Sequence, residues 1–163
     1  MISLTVATPE GMERLGAVIA GQLRAGELVL LNGPLGAGKT TLTRGLGAAL
    51  GVRGTVTSPT FVRARTQPRE GGAPLVHVDA YRLGSAVELD DLDIDFERSI
   101  VVVEWGAGLL DGLTENWLEL DLSRPAPSTG SGTGVNVPVP EPVEGPEPRE
   151  VAVTGHGTRW QDL

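Results

Sequence analysis

Residues 27–40 read ELVLLNGPLGAGKT, an apolar run followed by a turn rich in glycine. Continuous apolar runs of this kind form strands that are buried on both faces, as in a parallel sheet. After the turn, apolar residues recur with helical spacing up to Gly51, which predicts a helix that ends there. A buried strand, a glycine turn and a helix in this order indicate an α/β fold.

The turn at residues 33–40 matches the complete phosphate-binding pattern G-x-x-x-x-G-K-[S/T] in its required strand–helix context. Glycines let the backbone wrap closely around phosphate oxygens, and the helix N-terminus adds positive potential. The predicted phosphate-binding residues are Leu35, Gly36, Ala37, Gly38, Lys39 and Thr40. Lys39 supplies a charge to the β- and γ-phosphates, and the Thr40 hydroxyl is a candidate ligand of Mg²⁺.

The nucleotide that this loop binds is expected to be ATP. Lys39 is the single lysine among 13 basic residues. The Asn-Lys-x-Asp motif that selects guanine in GTPases therefore cannot occur elsewhere in the chain.

Two other predicted strands end in an acidic residue. Asp79 follows the run PLVHV, and Glu104 follows IVVV. Carboxylates at the carboxyl ends of parallel strands lie beside a phosphate-binding loop, where a metal bound to phosphate needs them. One of the two is expected to hold Mg²⁺ and the other to orient the attacking water or to act through a neighbouring group. A solvated strand end is the alternative for each.

The remaining elements complete the predicted fold. Thr8 and Pro9 start a helix that Gly26 is expected to cap. Residues 117–122 and 150–154 alternate between apolar and polar and are predicted to pair as a C-terminal antiparallel hairpin. Further strands are predicted at residues 1–7, 62–66, 74–79 and 100–104. The fold class is α/β, with a single P-loop NTPase-like domain over residues 1–163 and a mostly parallel sheet flanked by helices.

A segment rich in proline and glycine separates the hairpin strands, at about residues 125–148. It contains seven of the twelve prolines of the chain. Such a composition cannot bury enough apolar area to offset the entropy of ordering, so we predict a disordered loop. A proline-rich ligand for a partner protein is the less expected alternative.

Composition excludes several classes of function. The 163 residues include 21 acids and 13 basic residues, a formal charge of -8, which disfavours direct capture of nucleic acid. The absence of cysteine excludes disulfide scaffolds, thiol nucleophiles and cysteine-ligated metals. There is no apolar run long enough for a membrane helix and no signal-peptide pattern, so a cytoplasmic protein without membrane contact is expected.

Weaker candidates have two interpretations each. The hydroxyl-rich stretch 57–61 is either a sensor of the γ-phosphate or a simple turn, and the six acids within residues 88–97 form either a solvated face or a docking site for a basic partner. Trp105 is equally suited to a lid or partner contact and to the core. His77 is expected to be structural, and surface charge is the commoner explanation for Arg63, Arg65 and Arg82, which are also possible phosphate contacts.

Four motifs together resemble the TsaE (YjeE) family, the bacterial ATPases of tRNA threonylcarbamoyladenosine synthesis. They are LGAGKTT at 35–41, SPTF at 58–61, HVDAYRL at 77–83 and EW at 104–105. The resemblance covers about residues 1–122 and, more weakly, the last strand. The chain departs from the family at Pro34, at Gly106 and in the proline-rich insertion, none of which removes a phosphate or metal group.

The resemblance implies a small P-loop domain that binds ATP and Mg²⁺ and hydrolyses ATP slowly. It implies TsaB and TsaD as partners, with tRNA reached only through their complex, which this protein resets or regulates. By the motif match, Lys39 contacts phosphates, Thr40 and Glu104 hold Mg²⁺, and Asp79 activates water. Thr41 extends the phosphate cradle. Adenine is expected between the N-terminal segment around Thr8 and the loop after the last strand, near Gly155.

Two other functions are compatible with a phosphate-binding loop. A small nucleoside or metabolite kinase would need a mobile lid with several arginines, and the sequence has no compact lid segment. A nucleotide-sensing adaptor would bind ATP without turnover even when its partners are present.

Overall fold

A computed structural model describes residues 1–34, 36–52, 64–69, 71–80, 94–104, 114–124 and 148–162 of the chain. These ranges form one sheet with helices on one of its faces. The elements are β1 (Ile2–Val6), α1 (Pro9–Ala20), β2 (Leu28–Asn32), α2 (Lys39–Leu50), β3 (Ala64–Gln67), β4 (Leu75–Asp79), β5 (Ile100–Glu104), β6 (Trp117–Ser123), β7 (Arg149–His156) and a 3-10 turn (Thr158–Trp160).

The sheet has the strand order β1-β7-β6-β2-β5-β4-β3 among the described residues. Its four central strands, β6, β2, β5 and β4, run parallel. The pairings at both sides, β3 with β4, β6 with β7 and β7 with β1, are antiparallel. The predicted α/β class with a parallel centre is confirmed, and β2 lies in the middle, which places the glycine turn at the centre of the carboxyl edge of the parallel strands.

The β6–β7 pairing confirms the predicted hairpin. Polar side chains on the sheet face opposite the helices join this hairpin to β2. Asn32 Nδ2 donates to Glu119 Oε1 and to Asp121 Oδ1, both at 3.0 Å. His156 Nε2 lies 2.7 Å from Glu119 Oε2 and its ring stacks on Trp117. These contacts hold β6 and β7 in register next to the strand that precedes the glycine turn.

The two α-helices pack on one face of the sheet through backbone contact at two glycines. A Cβ atom at Gly16 would overlap the carbonyl oxygen of Leu42, and one at Gly45 would overlap the backbone of Glu13. Only glycine allows helices to approach so closely. This crossing fixes the position of the first turn of α2 relative to α1.

The predicted end of the first helix is wrong. Thr8 is the N-cap, and its Oγ1 accepts a hydrogen bond from Gly11 N at 3.0 Å, as expected. The helix then ends at Ala20 with Gly21 as its C-cap, whereas Gly26 lies beyond a turn and donates its N–H to Ser99 O at 2.9 Å. The apolar spacing misled the prediction because Leu23 is still buried after the chain has left the helix.

Apolar residues form a core on each side of the sheet. The helix side contains residues of β2, β5 and β6 together with Met12, Ile19, Leu42 and Leu46. The opposite side contains Leu28, Leu30, Val76, Val78, Val101 and Val103, with Phe96 packed against them. The β2 and β5 side chains are therefore buried on both faces, as their continuous apolar runs predict.

Several predicted features lie outside the described residues. They are the stretch 57–61, Trp105, most of the acidic stretch 88–97 and residues 125–147 of the proline-rich segment. The prediction of a disordered loop there stays a prediction. Each described α-helix has 12 residues, too few to cross a bilayer.

Candidate functional site

The loop after β2 turns directly into the N-terminus of α2. Gly38 is the N-cap of α2 and has φ 109, a left-handed conformation that side chains other than glycine rarely adopt. Gly38 has no side chain with which to cap the helix, so it leaves first-turn backbone N–H groups facing the loop. This arrangement is a ready-made anion site because the helix dipole adds to those N–H groups.

Lys39 is the first residue of α2 and folds back over the loop. Its Nζ donates to Gly33 O at 2.6 Å and to Pro34 O at 3.0 Å. The residue is only 6% exposed, and this burial lowers the pKa of the ammonium. The carboxylates of Glu104 and Asp79 act in the opposite direction and raise that pKa. Lys39 is therefore held in an acidic environment at the mouth of the loop.

The two predicted carboxylates lie side by side. Asp79 and Glu104 end the neighbouring parallel strands β4 and β5 and are register partners, and Glu104 is also the partner of Leu31 in β2. Glu104 is buried, and Asp79 is half-buried. The strand register thus brings both carboxylates to the lysine from segments far apart in sequence.

His77 is a neighbour of Glu104 that the sequence motifs did not connect with it. It is buried, and its Nε2 lies 3.4 Å from Glu104 Oε2. His77, Asp79 and Glu104 share the helix side of the sheet because strand residues two apart point the same way. His77 is buried within β4, as the structural interpretation predicts.

A small divalent cation fits the donors at this edge. Glu104 Oε1 is buried without a hydrogen-bond partner, an unusual state for a carboxylate oxygen. In the described part of the chain there is no group of three or more His, Asp or Glu side chains that could hold a metal alone. Mg²⁺ is bound in proteins by one or two carboxylates together with phosphate oxygens and water. The residues available to it are Glu104, Asp79 and the Thr40 hydroxyl.

The other predicted phosphate-binding residues follow the loop closely. Gly36, Ala37 and Gly38 form the turn before α2, and Ala37 N donates to Pro34 O at 3.1 Å. Thr40 and Thr41 occupy the first turn of α2 and are half-buried. Leu35 lies outside the described residues.

One expectation about adenine is contradicted by the register. Gly155 pairs with Leu118 near the amino end of β6, which is the sheet edge opposite the glycine turn. A Cβ atom there would also meet the backbone of Trp160. Thr8 does follow the end of β1 that pairs with Arg149, at the same edge as the glycine turn.

Two arginines at the loop were not found from the sequence. Arg124 Nη2 and Arg149 Nη2 donate to Gly36 O at 3.2 Å and 3.4 Å. Of the arginines that the sequence offered as phosphate contacts, Arg65 lies in β3 opposite His77, and Arg63 and Arg82 are outside the described residues. No local motif marks Arg124 and Arg149, because only the β6–β7 register brings them together.

Comparison with known proteins agrees with this architecture. The family profile "Threonylcarbamoyl adenosine biosynthesis protein TsaE" matches residues 6–129. A TsaE protein of Streptomyces coelicolor is 53% identical over 91% of this chain and 93% of its own length. One from Bacillus subtilis is 29% identical over 95% of this chain and 86% of its own length.

A solved structure has the same fold. The crystal structure of Bacillus subtilis YdiB superimposes with a TM-score of 0.69 at 26% identity, covering 99% of this chain and 89% of that one. Together, the profile match, the identity to curated relatives and the shared fold show that the chain belongs to the TsaE family.

Proposed function

We propose that this chain is a cytoplasmic, Mg²⁺-dependent protein that binds ATP and hydrolyses it weakly in support of tRNA threonylcarbamoylation. Membership of the TsaE family supports the place in threonylcarbamoyladenosine biosynthesis. The observation that carries the ATPase proposal is the convergence of Lys39, Asp79 and Glu104 at the loop that opens α2. Phosphoryl transfer depends on this kind of positioning and charge stabilisation.

Each residue has a separate part in this proposal. The first-turn N–H groups of α2 and the Lys39 ammonium bind the phosphate chain, and the Thr41 hydroxyl extends the cradle. Thr40 and Glu104 hold Mg²⁺, which when bound neutralises charge on the phosphates. Asp79 is the less buried carboxylate and accepts the proton of the attacking water. His77 packs against Glu104 and limits the directions that its carboxylate can take.

The formal charge of -8 supports an indirect relation to tRNA. In this proposal the chain acts on a complex of TsaB and TsaD proteins, which holds the tRNA and modifies the adenosine next to the anticodon. ATP favours the state that binds the complex, and hydrolysis releases it, since loss of a γ-phosphate relaxes the loops that it had ordered.

Replacing Lys39 with Ala tests the ATP site. We expect at least about tenfold weaker ATP binding and slower hydrolysis, because a charge-assisted contact to phosphate is lost. Arg98→Ala is the matched control, since it removes one exposed positive charge next to the amino end of β5, at the opposite edge of the sheet. Equal ATP affinity of the Lys39 variant and the wild type, measured by calorimetry, would contradict the proposed site.

A pull-down with purified TsaB and TsaD tests the partner relation. The chain should bind the partners more strongly with an ATP analogue than with ADP or without nucleotide. Reconstituted tRNA modification should then require the chain and ATP together. Equal partner binding in all three states would contradict the switch, and tight tRNA binding by the isolated chain would contradict the indirect relation.

A further inference from the structure

The two edge strands of the sheet, among the described residues, differ in their protection against pairing. β3 carries the exposed Arg65 and is followed by Pro68. Charged residues and proline are devices by which proteins keep edge strands from pairing with other chains. β1, at the opposite edge, contains neither, and four of its five residues are exposed. The outer edge of β1 is therefore open to another strand.

β1 also presents apolar side chains to solvent. Ile2 and Leu4 are 42% and 38% exposed. Their register partners in β7, Val153 and Val151, belong to the helix-side core. Because facing residues of paired strands lie on the same face, Ile2 and Leu4 extend this core to the margin of the sheet, where each remains partly uncovered.

Helix α1 adds another exposed apolar residue beside β1. A Cβ atom at Gly11 would lie 3.2 Å from Val6 Cγ1, so this stripe of α1 faces β1. Val18 is about two turns farther along the same stripe and is 67% exposed. Since α1 runs back along β1, Val18 lies beside the first half of the strand. We call the outer edge of β1, with Ile2, Leu4 and Val18, the β1 flank.

We propose that the β1 flank is a self-association surface, on which β1 of a second copy of this chain pairs antiparallel to form a dimer with one continuous sheet. A twofold axis perpendicular to the sheet brings the same faces of both strands together, so apolar residues meet apolar residues on the helix side. Pairing over the full length of β1 places Leu4 on the axis and Ser3 opposite Thr5 of the second copy.

Charge and size determine the kind of dimer. The formal charge of -8 makes two copies repel each other over much of their surface, whereas β1 brings no charged side chain to the contact. For the same reason the flank offers nothing to a basic partner. A five-residue strand with one helix residue buries less than the about 1,200 Å² of a stable interface. The dimer is therefore weak, with a micromolar or higher dissociation constant, and salt strengthens it by screening the repulsion.

Analytical ultracentrifugation from about 1 µM to about 1 mM tests the dimer. The wild type should shift from monomer to dimer with rising concentration, and more so at high salt. The double variant Ser3→Lys/Thr5→Lys places like charges opposite each other twice and should associate at least about tenfold more weakly. Thr66→Lys is the control, because it adds a positive charge at an exposed position of β3 and should associate as well as the wild type.

A mixture of opposite charges separates pairing from misfolding. Ser3→Glu/Thr5→Glu mixed with Ser3→Lys/Thr5→Lys should restore dimers, which misfolded variants could not form. A wild type that stays monomeric at about 1 mM would overturn the inference, as would a double-lysine variant that associates like the wild type. If the wild type is monomeric and the double-lysine variant loses binding to TsaB and TsaD, the flank belongs to those partners and not to a second copy. The ATP site plays no part in this inference, so ATP binding can fail or succeed independently of it.

Discussion

Glu104 is the residue on which the metal proposal depends. It is 3% exposed, and its Oε1 has no hydrogen-bond partner, while Oε2 faces His77. A buried carboxylate oxygen without a partner is costly unless a ligand satisfies it. Asp79, its neighbour across the strands, is half-buried. In the proposal, this difference in burial is the reason to assign Mg²⁺ to Glu104 and the attacking water to Asp79.

Glu104→Gln should reduce Mg²⁺-dependent ATP hydrolysis at least about tenfold, because the neutral amide is a poor ligand for Mg²⁺. Nucleotide binding measured in the presence of EDTA should change by less than about twofold. Asp79→Asn should slow hydrolysis while leaving the Mg²⁺ dependence of binding intact. If Asp79→Asn shows the metal defect and Glu104→Gln does not, the two roles are exchanged.

For the candidate site, the sequence indicated individual residues but not all of the contacts between them. The glycine pattern, Lys39 and the two strand-end acids are visible because the chemistry and the strand ends are local. The proximity of His77 to Glu104 and of Arg124 and Arg149 to Gly36 depends on strand register, which pairs segments distant in sequence. A single sequence has no local signal for such pairs.

Among the elements, α2 follows the phosphate-binding loop directly and packs against α1. Its end at Leu50, with Gly51 as a left-handed C-cap, agrees with the prediction. The contact with α1 through Gly16 and Gly45 was not predicted. Glycine inside a helix lowers its propensity, and only the partner helix explains why it is present.

In the variant Gly45→Ala, helix propensity and packing against α1 therefore act on stability in opposite directions. Propensity alone would stabilise the variant by about 1 kcal/mol. We expect the overlap with the Glu13 backbone to dominate and to lower the melting temperature by several degrees.

Gly21→Ala is the matched control for this change. Gly21 ends α1 at φ -65, and a Cβ atom there makes only ordinary contact with the helix carbonyls. The melting temperature of the Gly21→Ala variant should stay the same or rise slightly. A higher melting temperature for Gly45→Ala, by calorimetry or circular dichroism, would show that the helices can separate at little cost.

Comparison of the predicted and observed elements shows which features can be predicted from this sequence and which cannot. β2, β4 and β5 were predicted to within one residue because they are mainly apolar and end in polar groups. α1 was predicted too long, since the buried Leu23 continues its apolar spacing beyond the true end. The pairing of β1 with β7 was not predicted, since the sequence of neither strand indicates which strand it pairs with.

At the scale of the whole molecule, the proline-rich segment connects two strand ends that are already adjacent. Replacing residues 126–148 with a short Asn-Gly turn should leave the melting temperature unchanged or raise it by several degrees, because closing a long flexible loop costs somewhat more than closing a short one. A fall of many degrees would show that the segment packs on the domain.

The place of β1 at the edge of the sheet has a consequence for synthesis. Among the described strands, the ribosome makes β1 first and β7, its hydrogen-bonded neighbour, last. The two can pair only after β7, at Arg149–His156, has been translated, whereas α1 can already contact α2 after about 50 residues. Until then, the backbone N–H and C=O groups of β1 and β6 that later pair with β7 can bind strands of other chains. A nascent chain stalled within residues 125–147 would therefore carry its phosphate-binding loop on a sheet that is still open on one side.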